Sequence, residues 1–269
     1  MDDEVKKYEE VLAIYRKKIM MKMAESDWYD YNEILCSAHS CAIEGNSFSV
    51  DDTRDLKEKG LGYIPQGHTL LEAYEMLDHF QAYRYMLTQV GKPLNEETLK
   101  NIHRLVTLNT LGYRTHGEGT PGEYTTVDMA AGSTIFGDHE VLIAQVPKLL
   151  TATQQQIEEG KIHPLRLAAM FHCFFEYLHP FRDGNGRTGR LMANLILLTM
   201  GHPMVIIENE NKQAYLGALR FYKQERSTDA IEAFFIKTAI QRMEKELKEK
   251  ELLTPNDLQG QGHIRLCFL

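Results

Sequence analysis

The chain has 269 residues, of which 43% are hydrophobic and 25% are charged. This composition is typical of a globular protein and excludes a disordered or fibrous chain. The formal net charge of -8 leaves no broad basic surface, so we expect no nucleic-acid partner.

Three features of the sequence favour a cytoplasmic protein without a membrane partner. The start MDDEVKKYEEV lacks the basic and then apolar layout of a signal peptide. The most apolar run, Leu191 to Met200, is far shorter than the ~20 residues of a membrane-spanning helix. The cysteines form no CxxC pair, which favours free thiols over a disulfide framework; they are Cys36, Cys41, Cys173 and Cys267.

The first third of the chain predicts helices. Apolar residues recur at helical spacing, with almost none of the alternation that marks strands, so we expect a mainly α fold. Helices are predicted at about residues 4–24, 27–44 and 50–59. Ser49 can cap the third of these helices and Gly60 can end it.

The middle of the chain adds two helices and one interruption. A helix is predicted at 68–90, and Asn95 then resembles the cap of a helix that runs through Leu108. The segment from Leu111 to Gly137 is rich in glycine and β-branched residues. It predicts a loop with a short hairpin around Thr125 to Phe136.

Two apolar helices are predicted on either side of one glycine-rich turn. The first begins at Pro164 and runs to about Leu178, and the second follows the turn and is closed by Gly201. Both are apolar on most faces, so we expect them at the centre of the fold. A further helix is predicted at 146–159, and outer amphipathic helices are predicted at 211–222 and 228–250.

The loop between the apolar helices reads HPFRDGNGRTGR, from His179 to Arg190. N–H groups at the start of a helix are unpaired and carry the positive end of the helix dipole. Gly184 and Gly186 would let a phosphate approach them. Arg187 and Arg190 are three positions apart, hence on one helical face, where both guanidinium groups can contact phosphates.

The same loop contains an acid and a base. Asp183 is a candidate Mg²⁺ ligand, because Mg²⁺ in proteins usually binds one or two carboxylates together with phosphate oxygens. His179 is a candidate general base. So many polar groups between apolar helices are costly unless a ligand or partner satisfies them. The residues therefore predict the active site of an enzyme acting on a Mg²⁺-bound nucleoside triphosphate.

The loop resembles the signature of the Fic family, HPFx(D/E)GNGRxxR, and every fixed position matches. The resemblance covers roughly residues 95–245. It implies a helical bundle with a short β-hairpin flap, and a nucleotidyltransferase that moves AMP from ATP to a hydroxyl group of a target protein. It also divides the chain into an N-terminal helical region at 1–94, a catalytic core at 95–250 and a short C-terminal tail at 251–269.

The resemblance also assigns roles within the loop. His179 would deprotonate a Ser, Thr or Tyr hydroxyl of the target, and Asp183 would hold Mg²⁺. The remaining motif residues would bind the phosphates, as an anion hole and as β- and γ-phosphate contacts; they are Gly184, Asn185, Gly186, Arg187 and Arg190.

A second motif lies near the N-terminus, where Ser40 to Asn46 resembles the inhibitory pattern (S/T)xxxE(G/N) of the same family. Ser40 and Glu44 are four apart on one helical face, and Gly45 can end the helix. The short pattern alone also fits a capped helix end. Beside the full signature it implies that Glu44 pairs with Arg190, leaves ATP in a non-productive pose, and positions water for removal of AMP from a target.

Two further assignments follow from the resemblance. The hairpin, with Thr125, Thr126, Val127 and Asp128 at its start, would be the flap that docks an extended target segment as an added strand. Its sequence departs from the more aromatic and proline-rich flaps of many relatives. The segment KQAYLGAL resembles the family pattern RxxYxxAL, with lysine in place of arginine; Tyr215 would wall the adenine site or pack in the core.

Alternatives remain open at this point. The chain could be an interaction module that holds a nucleotide without transfer, or it could use another donor, such as UTP, a phosphocholine donor or ATP as a phosphate source. A homodimer is possible. Residues 117–122 satisfy GxGxxG, but no strand precedes them and Pro121 interrupts the helix that they should open, so we interpret them as a loop.

Overall fold

Helices account for most of the structure. A computed structural model describes residues 2–62, 64–131 and 134–252; the predicted C-terminal tail from residue 253 onwards, including Cys267, lies outside the described residues. The helices of these ranges are α1 (Asp2–Lys18), α2 (Glu25–Ile43), α3 (Val50–Lys59), α4 (Leu70–Thr88), α5 (Glu96–Val106), α6 (Leu111–Arg114), α7 (His139–Ile143), α8 (Val146–Glu159), α9 (Pro164–Leu178), α10 (Asn185–Thr199), α11 (Lys212–Glu225) and α12 (Asp229–Leu252). The prediction of a mainly α fold is confirmed.

Local capping explains several helix boundaries. The Ser49 side chain accepts a hydrogen bond from the Asp52 amide, and Gly60 ends α3 with a φ of 64°. Asn95 caps α5 by accepting from the Thr98 amide. Such side-chain caps satisfy N–H groups that the helix itself leaves unpaired. These boundaries agree with the sequence prediction.

The predicted first helix at 4–24 is shorter in the structure. It ends at Lys18 and is followed by a 3-10 turn at Met20–Lys22. The break lets α1 pack against α12 while α2 packs against α4. One straight helix through these residues could not bury both segments against different neighbours.

The central helices α9 and α10 pack against each other and hold the functional loop between them. Phe171 and Phe175 of α9 and Leu191 of α10 are fully buried. Complete burial of such a side chain contributes about 1.5–3 kcal/mol. Tyr8 and Leu12 of α1 belong to the same apolar core, so the N-terminal helices share it with α9 and α10. The division of the chain at residue 94 stays a prediction.

A pair of very short strands lies in the segment predicted as loop and hairpin. β1 (Ala130–Ala131) pairs antiparallel with β2 (Thr134–Ile135), with Ala130 opposite Ile135. The predicted hairpin also includes residues 132 and 133, which lie outside the described residues. The sequence analysis missed α6, which lies in the predicted loop, and α7, although Asp138 gives a local signal by capping α7.

Two smaller expectations concern cysteines and membranes. Cys36, Cys41 and Cys173 are buried free thiols. Among the described ranges, none of the helices combines the length and the apolar character needed to cross a bilayer.

Candidate active site

The loop from His179 to Arg190 joins α9 to α10 through two residues with left-handed backbone. His179 caps α9 with φ 47° and ψ 55°, and its amide donates to the Phe175 carbonyl at 2.9 Å. Gly184 precedes α10 with φ 76°. The first hydrogen bond of α10 runs from Thr188 N to Gly184 O at 3.0 Å, so the amides of residues 185–187 have no acceptor within the helix. These amides form an anion-binding helix start.

Asn185 holds the loop together with its side chain. Its Nδ2 donates to the Phe181 carbonyl at 2.8 Å, and its Oδ1 accepts from the Phe181 amide at 3.0 Å. The side chain is buried and both of its polar ends are engaged. The side chain is thus fixed by the loop, while the backbone N–H of Asn185 belongs to the helix start that can bind an anion.

His103 supports the loop by a hydrogen bond and by stacking. The sequence analysis missed this residue. The Gly122 amide donates to its Nδ1 at 2.9 Å, so the proton resides on Nε2, which donates to the Asp183 carbonyl at 2.9 Å. The imidazole also stacks on Phe181 with ring centroids 3.7 Å apart. Burial lowers the pKa of His103 to about 4, which keeps it neutral. A buried histidine on a helix face gives no sequence signal for this role.

A cavity of about 600 Å³ opens above the loop. This volume lies within the range of small-molecule sites. Its wall brings together most of the predicted site residues: Glu44, His179, Asp183, Gly184, Asn185, Gly186, Arg190 and Tyr215. Side chains from α2, α9, α10 and α11 thus converge on one space.

Arg190 and Glu44 form an ion pair in this cavity. The Arg190 Nη2 donates to Glu44 Oε1 at 2.8 Å and to the Ser40 carbonyl at 2.8 Å, while its Nε donates to Ser40 Oγ at 3.0 Å. Glu44 directly follows α2, and Gly45 turns the chain with a φ of 102°. Burial acts to raise the pKa of Glu44, but Arg190 and then Arg187 outweigh it and hold the pKa below its ordinary value. The carboxylate is therefore ionised.

The Glu44 carboxylate also lies directly against the start of α10. A Cβ atom at Gly186 would collide with Glu44 Oε1 and approach Arg190 Nη1 to 2.9 Å. Gly186 thus lets an anion lie on the helix start, and in this structure that anion is Glu44.

Arg187 points away from the cavity, unlike Arg190. It is buried, and donates to Glu75 of α4 and to Asp183 Oδ2, the latter at 3.1 Å. Glu75 also pairs with Arg114 at 2.8 Å and accepts from Asn46 Nδ2 at 2.8 Å. Of the two predicted arginines only Arg190 lines the cavity, so phosphate binding by Arg187 stays a prediction. The sequence gives no signal for Glu75, because a glutamate in a helix usually faces solvent.

His179 is a neutral imidazole at the cavity wall. Burial lowers its pKa to about 4, assisted by the nearby Lys223 and opposed by Glu44 and Asp183. It can therefore accept a proton at neutral pH. Its ring lies nearly parallel to Phe136, with centroids 4.1 Å apart and an interplanar angle of 18°.

Tyr215 packs in the core and also borders the cavity. It is fully buried, and its hydroxyl bonds His172 Nε2 at 2.7 Å and Arg190 Nη1 at 3.4 Å. It also lines the cavity. Its position at the adenine end of a bound nucleotide stays a prediction.

The predicted flap residues lie beside the cavity rather than on its wall. The Thr125 amide donates to the Pro180 carbonyl at 2.8 Å, while Thr126 and Val127 are exposed. Asp128 Oδ1 accepts from the amide and from Nδ1 of His139, at 2.9 and 2.8 Å. Instead, the structure brings residues that the sequence analysis missed to the cavity wall: Met129, Phe136, Glu176 and Lys223.

Comparison with known proteins relates this geometry to a family. A sequence model described as the Fic/DOC family matches residues 93–197. Protein adenylyltransferase Fic of Culex quinquefasciatus is 32% identical over 221 residues, which cover 80% of this chain and 41% of that protein. The chain thus spans about two fifths of the length of that curated relative.

Solved structures show the same fold at lower identity. A Fic domain containing signaling protein from Bacteroides thetaiotaomicron superposes with a TM-score of 0.78 at 21% identity, covering 95% of this chain and all of that chain. Fic-1 from C. elegans gives a TM-score of 0.76 at 21% identity, over 93% of this chain and 74% of that chain.

Proposed function

We infer that the chain belongs to the Fic/DOC family, whose model matches residues 93–197, and we propose that it transfers AMP from ATP to a hydroxyl group of a target protein. The observation that carries the proposal is the meeting of three groups in one cavity: the neutral imidazole of His179, the carboxylate of Asp183 and the unpaired amides of α10. They match a base, a metal ligand and a phosphate site. The curated relatives, named protein adenylyltransferases, support the same activity.

The reaction follows from these positions. The phosphates of ATP bind at the start of α10, where the amides of residues 185–187 stabilise negative charge. His179 removes the proton from a Ser, Thr or Tyr hydroxyl of the target. Its Nδ1 is buried, so Nε2 is the nitrogen that serves as base. The target oxygen bonds to the α-phosphorus as the bond to the bridging oxygen breaks, and pyrophosphate leaves.

Asp183 suits a Mg²⁺ ion in this scheme. Its side chain is about one third exposed and lines the cavity, and its Oδ2 forms an ion pair with Arg187. Within the described part of the chain, Oδ1 has no protein partner. Mg²⁺ prefers such a carboxylate together with phosphate oxygens, and when bound it would neutralise part of the phosphate charge.

We further propose that the protein is autoinhibited in this conformation. Glu44 lies on the helix start that a phosphate would need, and it engages Arg190, which of the two predicted phosphate-binding arginines is the one on the cavity wall. A γ-phosphate must displace this carboxylate to reach Arg190. In this reading the region at 1–94 contributes the inhibitory helix α2, and 95–250 contributes the catalytic core.

We propose that the β1–β2 pair is the flap on which the target docks. An extended target segment can add to the free edge of a short strand through backbone hydrogen bonds. Thr126 and Val127 are exposed directly before β1, where such a segment would pass. The Asp128–His139 contact fixes the base of this flap.

Intact-mass spectrometry of the Glu44→Gly protein tests the proposal. The variant is incubated with ATP and Mg²⁺, alone and with a protein extract, beside the same variant carrying His179→Ala. We expect a mass increase of one AMP, on the chain itself or on an extract protein, that requires His179. A parallel incubation with UTP tests the donor. Absence of any adduct would favour the nucleotide-binding module without transfer.

A further inference from the structure

Phe136 lies between the flap and the proposed base. It follows β2, and its amide donates to the Met129 carbonyl at 2.9 Å, which fixes it next to the strand pair. Its ring lies against the imidazole of His179, and the Nζ of Lys223 is 4.2 Å from the centroid of the same ring. Phenyl ring, imidazole and ammonium group all line the cavity.

Among the described residues, no side chain makes a hydrogen bond to Nδ1 of His179. In most catalytic histidines, a hydrogen bond at one ring nitrogen fixes the direction of the other. Here Nδ1 is buried without a well-formed hydrogen bond, although the Glu176 carbonyl is close enough to raise the pKa of the ring. The stacked ring of Phe136 therefore contributes a contact that holds the imidazole plane.

We propose that Phe136 is a positioning residue for His179, held over it by Lys223, an inference that rests on the proposed transfer reaction. Stacking keeps the imidazole in the plane that directs Nε2 into the cavity. A cation over the face of a phenyl ring attracts the ring quadrupole, and this attraction holds Phe136 in place. The flap thereby sets the geometry of the base as well as the docking of the target.

The alternative is that Phe136 is only a cover over the base. The two interpretations predict opposite effects on the transfer rate when the Phe136 ring is removed. A cover blocks the target hydroxyl, so its removal increases transfer. A positioning residue aligns the base, and displacement of a catalytic group by about 1 Å can cost up to about 100-fold in rate.

Rate measurements in the Glu44→Gly background separate the two readings. Label from α-³²P-ATP is followed into the proteins of an extract at saturating ATP and over an ATP series. We expect Phe136→Ala and Phe136→Leu to lower the maximal rate about tenfold or more, with the half-saturating ATP concentration changed less than twofold. Phe136→Tyr, which keeps a flat ring, restores most of the rate. Val141→Ala, a nearby exposed substitution, leaves it unchanged.

NMR spectroscopy tests the contact between Phe136 and His179 independently of enzyme activity. In histidine-labelled protein, the His179 ring signals are assigned by their loss in His179→Ala, and stacking predicts an upfield ring-current shift that Phe136→Leu removes. If Glu44→Gly transfers nothing, the proposed function fails, while this shift still reports on the contact. A parental or higher rate in folded Phe136→Leu protein would overturn the inference, and so would an unchanged His179 signal.

Discussion

Glu44 Oε1 lies 2.8 Å from Arg190 Nη2 and also lies against Gly186 at the start of α10, so one carboxylate occupies both positions of the proposed phosphate site. The contact unites two motifs that are distant in the sequence. Ser40 reinforces it, because its carbonyl and hydroxyl oxygens take two further Arg190 hydrogen bonds. Several consequences of this arrangement are open to experiment.

Removal of the Glu44 carboxylate should activate the protein. A charge-assisted hydrogen bond contributes about 1.5–3 kcal/mol, so we expect Glu44→Gly to raise AMP transfer by about 10- to 100-fold. Incorporation of label from α-³²P-ATP measures the change. Glu210→Gly, an exposed glutamate outside the cavity, is the matched control. Equal transfer in Glu44→Gly and the parent would contradict the inhibitory role.

The pH dependence of transfer should reflect a neutral, buried base. The pKa of His179 is lowered to about 4 by burial and by Lys223, against the opposing influence of Glu44 and Asp183. Activity should therefore fall only as pH approaches about 4, rather than near the ordinary histidine value of about 6.5. Lys223→Met removes a charge that lowers this pKa, so the acidic limb should move to higher pH. A limb near 6.5 in the Glu44→Gly protein would show that His179 is more hydrated than in this structure.

Acid should destabilise the fold. Burial lowers the pKa values of His79 and His172 to about 3, and those of His103, His179 and His202 to about 4. Unfolded histidine titrates near 6.5, so between that pH and about 4 the unfolded chain binds more protons and stability is lost as pH falls. Burial raises the pKa of Asp78 to about 6 and of Glu176 to about 7. At these two groups the folded chain binds more protons, so they stabilise the fold as pH falls, but they are fewer than the five histidines.

Thermal melts from pH 7.5 to pH 4.5 measure this loss. We expect the melting temperature to decrease across the range. His79→Gln removes one titrating group and should flatten the dependence while Ser37 keeps a hydrogen-bonding neighbour. A melting temperature that rises on acidification would mean that the two carboxyl groups dominate.

Glu75 should be a stability residue for the loop. It is fully buried and neutralises Arg187 and Arg114 together. Glu75→Ala leaves these cations without that partner, and breaking a buried ion pair typically costs about 3–5 kcal/mol. Urea unfolding measures the change. Exposed Glu58→Ala is the control, for which a change within about 0.5 kcal/mol is expected. A similarly small change in Glu75→Ala would mean that Asp183 alone satisfies Arg187.

Local signals in the sequence predicted much of the helical framework. Ser49, Asn95 and Pro164 mark helix starts in the sequence and in the structure. The motif resemblance predicts the Glu44–Arg190 pair, and Glu44 Oε1 lies 2.8 Å from Arg190 Nη2. Both kinds of signal act over a few residues or depend on a fixed pattern.

The rest of the site depends on packing between distant elements. In the sequence, Glu75 resembles a solvent-facing residue of α4. In the folded chain it is paired with Arg187 and Arg114, which come from distant parts of the sequence. Phe136 reaches the site because it directly follows β2 and its ring stacks on His179 at the end of α9. Periodicity predicts which face of a helix is buried, but it does not predict which neighbour that face will meet.

The position of Glu44 just after α2 determines what must move to relieve the proposed autoinhibition. Ser40 and Ile43 of α2 are buried, whereas the Glu44 side chain keeps about a third of its surface exposed. Relief of the proposed inhibition therefore requires a change in one side chain after the end of α2, while the buried residues of α2 stay in the core. Substitutions at this one position can then change activity with little effect on the fold.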